Sequence, residues 1–124
     1  MVRDLSRYIG KDYEAYDCLD LVKDFYLTEF GIKVDNYYEG RRPTAQEAQF
    51  LISCNKGSFK KVQGTPEFGD LVTIKIYGIE CHVGVVLDSS RFLHSARKIG
   101  SNIDRLERYS KMITGYFRHC ELDK

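Results

Sequence analysis

The chain has 124 residues, 43% of them hydrophobic and 30% charged, with a formal net charge of +1. That is the make-up of one globular domain, residues 1–124, with its own core. The near-zero charge argues against a broad nucleic-acid footprint, and no apolar run approaches the ~20 residues that span a bilayer.

At the N-terminus, MVRDLSRYIGKDY carries charges where a signal peptide has its apolar segment. Cytoplasmic synthesis without a signal peptide is the expectation. The apolar spacing of Val2, Leu5, Tyr8 and Ile9 predicts a first helix, with Gly10 as its stop. A second is predicted over CLDLVKDFYLTEF, capped by Asp17 and ended by Gly31. Thr44 and Glu47 fit a capping box that opens a third, TAQEAQFLIS. Beyond this point the period changes. DLVTIKIYG has a β-rich core from Val72 to Ile76, CHVGVVL is suited to a buried strand, RFLHS returns after DSS, and MITGYFRHC supplies a last β-prone run. Helices followed by an antiparallel sheet make an α+β fold.

None of Cys18, Cys54, Cys81 and Cys120 forms a C-x-x-C pair, which argues against zinc ribbons and thioredoxin-like motifs. Cys18 is distinctive because it starts a predicted helix, where exposed N–H groups and the dipole favour a thiolate. The plain alternative is a small packed residue. Cys54 and Cys81 read as packing. His119 reads as a surface or strand-end residue, and Arg41–Pro43 and Lys60-Lys61 as solvated charge.

A thiol nucleophile needs a base, and the base needs a group to orient it. His82 lies in an apolar strand and His94 on the return strand. With a two-residue loop at Ser89-Ser90 the two histidines face opposite ways. With a three-residue loop over Asp88–Ser90, or with a bulge, His94 lies opposite Gly84 and diagonal to His82 on one face. The sequence permits either arrangement.

Taken in order, YDCLDLVKDFY, EFGDLVTIKI, HVGVVLDSSRFLHSA and IDRLERYSKMITGYFRH resemble the NlpC-type cell-wall cysteine peptidases. The last segment is similar to the branch found in phage tail assembly proteins. The resemblance implies a papain-like fold, with N-terminal helices on a C-terminal antiparallel sheet. It implies catalytic roles for Cys18 as nucleophile, His82 as base and acid, and His94 as the group orienting His82. It also implies substrate binding at Tyr13 and Asp17, with Tyr16 as a competitor for the place of Tyr13. The implied reaction is hydrolysis of an amide in a peptidoglycan stem peptide, after γ-D-glutamate, with no metal or cofactor. The implied partners are the stem peptide and other phage tail proteins, with no nucleic acid and no membrane span. The implied location is in a virion, or outside the cell after lysis or dedicated secretion. Leu19-Asp20 stand where family members commonly have Ser-Gly, and Asp20 brings a carboxylate near the thiol. Three rival readings are a silent structural tail protein, a zinc hydrolase with Cys18, His82 and His94 as ligands, and an amidase or acyltransferase using the same triad.

Overall fold

The computed structural model describes residues 4–34, 58–76 and 79–122. The predicted helix at Thr44, Cys54, the Arg41–Pro43 cluster and the side chain of Cys81 lie outside the described residues.

One α-helix is present among the described residues, α1 (Cys18–Phe30). Its ends follow from local chemistry. The Asp17 carboxylate accepts from the Asp20 N–H at 2.8 Å, and the Asp20 carboxylate accepts from the Asp17 N–H at 3.2 Å. This reciprocal capping box satisfies donors that the helix start would otherwise leave unpaired. At the other end Gly31 takes the left-handed conformation (φ 67°), and the Gly31 and Ile32 N–H groups close on the carbonyls of Leu27 and Tyr26.

The first predicted helix is not formed as such. Among the described residues it is only a 3-10 turn, Ser6–Tyr8. Asp4 Oδ1 takes the Ser6 N–H and hydroxyl, a local turn that competes with helix. Gly10 then donates to the Ser101 carbonyl, which draws the chain onto the sheet. Tyr8 still buries its ring, against Phe25, and its hydroxyl donates to Glu29.

The sheet has six strands, β1 (Phe59–Lys61), β2 (Leu71–Ile76), β3 (Ile79–Val86), β4 (Arg91–Ala96), β5 (Gly100–Arg105) and β6 (Ile113–His119). Their order is β1-β6-β2-β3-β4-β5, and every neighbouring pair is antiparallel. Four of these strands match the sequence expectation. β1 and β5 were not expected, and both are edge strands poor in apolar residues. The Lys60 and Lys61 side chains of β1 are exposed, as expected of solvated charge.

Leu19, Leu21, Val22 and Phe25 of α1 bury themselves with Leu71, Val83, Val85 and Leu93. A second cluster, Val72, Ile74, Val86, Phe92 and Leu106, packs with Tyr109 and Ile113. Arg118 of β6 makes a two-pronged ion pair with Asp70, at 2.8 and 2.9 Å, and Asp70 is fully buried. His119 ends β6 as expected but is buried rather than on the surface, its ring meeting Phe59 and Tyr26 edge-on. Cys120 beside it is exposed.

Candidate active site

The β3–β4 hairpin sets the site. Val85 pairs with Leu93 and Val86 with Phe92. The Leu87 N–H donates to the Arg91 carbonyl, leaving Asp88, Ser89 and Ser90 as a three-residue loop. Asp88 Oδ1 ties that loop by accepting from the N–H groups of Ser90 and Arg91. Continued one residue beyond Val85–Leu93, this register places His94 opposite Gly84 and His82 on the diagonal, on one face.

The two rings meet. His82 Nε2 and His94 Nδ1 are 2.8 Å apart, a hydrogen bond between two almost wholly buried side chains. Gly84 makes this approach possible. A Cβ there would stand 2.7 Å from the Phe92 ring and 3.1 Å from His94 Cβ. On its other side His94 stacks on Phe92, with centroids 4.4 Å apart, and meets Tyr109 edge-on.

Burial governs the charge of both rings. Desolvation, helped by His94, pushes His82 down to about 3. Desolvation also lowers His94, against the opposing pull of the Asp104 carboxylate. Both imidazoles are therefore neutral near pH 7, and which nitrogen carries each proton becomes the chemical question. Since His82 engages His94 through Nε2, the nitrogen left to serve a thiol is Nδ1.

Cys18 occupies the first position of α1 and is fully buried. Its helix packs on β3 and β4, the two strands that carry the histidines. The Asp20 carboxylate reaches back to accept from the Asp17 N–H at 3.2 Å, which engages it in the helix cap. The Asp17 carboxylate is likewise engaged in the cap and almost wholly buried. Tyr13 is buried, with the Arg97 guanidinium 5.0 Å over its ring. Tyr16 donates its hydroxyl to Asp24 at 2.6 Å, and its carbonyl accepts from Ser95 Oγ. Those two bonds fix the approach to Cys18 between helix and sheet. Among the described residues, no group of three His, Cys, Asp or Glu side chains is placed to hold a metal ion.

The model for the NlpC/P60 family matches residues 6–119. The chain belongs to the NlpC/P60 family. No curated protein matches it. Among solved structures it is similar to the NlpC/p60 domain of the peptidoglycan hydrolase SagA, with a TM-score of 0.56 and 15% identity. That match covers 88% of this chain and 81% of the other. At this identity the likeness shows a shared fold: one described helix against a six-stranded antiparallel sheet.

Sequence reasoning missed Asp104. The carboxylate Oδ2 lies 3.5 Å from His94 Nε2. It comes from β5, where Phe92 pairs with Asp104 and His94 with Asn102, so it is again a diagonal neighbour. The signal was available in the ten-residue step from His94 to Asp104 around ARKIG, once β5 is recognised as a strand.

Proposed function

We propose that this NlpC/P60 domain is a cysteine peptidase that hydrolyses an amide bond in peptidoglycan stem peptides. The observation that carries the reading is the buried His82–His94 hydrogen bond in the strands against which the Cys18 helix packs. In this reading His82 takes the Cys18 proton through Nδ1, and the thiolate attacks the scissile carbonyl. A backbone N–H at the start of α1 stabilises the oxyanion. His82 then gives the proton to the leaving amine, and a water, activated by the same imidazole, releases the acyl group from sulfur. His94 orients His82, and Tyr13 lines the substrate side. Family resemblance favours the bond after γ-D-glutamate, and the closing segment favours a phage tail setting. Digestion of purified peptidoglycan followed by mass analysis of the fragments tests the reading. Release of fragments cut within the stem peptide by the parent, and not by Cys18→Ala, is expected. Intact stem peptides with the parent protein would refute it.

One observation favours a second reading, a structural tail protein that retains the fold: the Cys18 side chain has no exposed surface. A silent thiol would stay unlabelled at neutral pH while exposed Cys120 reacts.

A further inference from the structure

We infer that Asp104 is a positioning residue that holds the proton of His94 on Nε2 and thereby sets the proton of His82 on the nitrogen facing His94. The inference rests on the peptidase reading for its kinetic consequence, but not for its structural content.

A single neutral hydrogen bond joins the two rings, and it can run in either direction. If His94 donates from Nδ1, His82 Nε2 is the acceptor. The one proton of neutral His82 then sits on Nδ1, and that nitrogen cannot take a proton from a thiol. If instead His82 donates from Nε2, its Nδ1 presents a lone pair, as a base must. His94 then accepts at Nδ1 and carries its own proton on Nε2. The useful tautomer of His82 is thus decided at the far side of His94.

That far side is occupied by Asp104. The His94 Nε2 atom is buried and has no hydrogen-bond partner at standard geometry, yet it stands 3.5 Å from Asp104 Oδ2. A carboxylate only accepts, so it favours a proton on the nitrogen facing it and repels a lone pair there. Asp104 is itself held. Its Oδ1 accepts from the Arg105 N–H at 2.8 Å, and its Oδ2 accepts from the Tyr109 hydroxyl at 3.2 Å. Arg108 Nη1 lies 3.7 Å from the same Oδ2. These donors, with His94, keep the carboxylate ionised below its ordinary range, against partial burial. Tyr109 also packs edge-on against the His94 ring, so one segment supplies both the charge and a wall. His82, His94 and Asp104 form a slanting row across β3, β4 and β5, each diagonal to the next.

The test has two arms. Nitrogen-15 NMR of the histidine rings in the parent protein should show His94 protonated at Nε2 and His82 protonated at Nε2 near pH 7. A His94 proton on Nδ1 would overturn the inference without any activity measurement. Asp104→Asn keeps the shape and removes the charge, so the Nδ1-protonated form of His94 should become populated. On a stem-peptide substrate its kcat should fall roughly tenfold or more, within the ~10²–10⁴-fold that a general base supplies, with KM little changed. Asp104→Glu should restore part of kcat. A tautomer and kcat both unmoved in Asp104→Asn would overturn the inference. A parent that shows the expected tautomers but cleaves nothing would refute the peptidase reading alone.

Discussion

Removing the ring of His94 separates orientation from chemistry. In His94→Leu the side chain remains apolar against Phe92 and Tyr109, so the fold should survive. What is lost is the acceptor for His82 Nε2, now 2.8 Å away. His82 is 5% exposed and His94 1%, so water cannot readily replace that acceptor. A buried donor left unmade costs about 1–3 kcal/mol. At ~1.4 kcal/mol per factor of ten, that is roughly a 5- to 150-fold loss in kcat/KM. The replacement that best restores function also follows from the geometry. His94 uses Nδ1, which is as many bonds from Cβ as the Oδ1 of asparagine. Glutamine places its oxygen one bond further out and matches Nε2 instead. The expected order is parent, His94→Asn, His94→Gln, His94→Leu. His82→Asn should lose essentially all activity, because no titrating ring remains. The assay is kcat/KM on one stem-peptide substrate, with folding checked by circular dichroism. If His94→Leu matches the parent, His94 is a bystander. If glutamine outperforms asparagine, the far nitrogen is the one that matters.

Cys18→Ala should abolish activity, whereas Cys120→Ala, at an exposed position, should leave it intact in the same digestion assay. Gly84→Ala would put a methyl 2.7 Å from the Phe92 ring and 2.9 Å from the Leu93 carbonyl, an overpacking expected to cost about 1–3 kcal/mol in denaturant unfolding and to reduce activity. Arg118→Ala leaves the fully buried Asp70 without its two-pronged partner; a loss of roughly 3–5 kcal/mol is expected in urea unfolding, and an unchanged midpoint would contradict it. For pH, His82 is held well below its ordinary 6.5, at about 3, by burial. The unfolded chain then binds this proton first as pH falls, so stability is full above pH 6.5 and declines toward pH 3. Between pH 6.5 and the carboxylate range the decline should reach at most about 1.4 kcal/mol per pH unit for this group, and His82→Asn should flatten it.

Where local chemistry decides structure, the sequence was legible. Asp17 and Gly31 bracket α1 at the residues expected, because a capping carboxylate and a left-handed glycine act within a few positions of themselves. The β3–β4 parity was narrowed to two alternatives, and the Asp88 turn chose the three-residue loop. The helix expected from Val2 to Ile9 had correct apolar spacing for burial but not for helix. Its Tyr8 is core, yet Asp4 and the Gly10–Ser101 bond hold the backbone in a turn. β5 escaped because GSNIDR has no clean alternation of apolar and polar residues. Its pairing with β4 and its short turn, rather than its composition, make it a strand. Asp104 was missed for the same reason, since its diagonal to His94 follows only once β5 is read as a strand paired with β4.

The central claim is that Cys18 and His82 act as one activated pair, and alkylation of the parent and His82→Asn tests it most directly. Both proteins are treated with iodoacetamide across pH 5–10, and modification of Cys18 and Cys120 is read separately by peptide mapping. Exposed Cys120 is the internal standard. Cys18 in the parent is expected to label ahead of exposed Cys120 near neutral pH, because the neutral His82 imidazole can take the thiol proton as sulfur attacks the alkylating carbon. In His82→Asn, which lacks that base, the advantage should disappear. Labelling confined to Cys120 in the parent, or a Cys18 profile identical in the two proteins, would contradict the pairing.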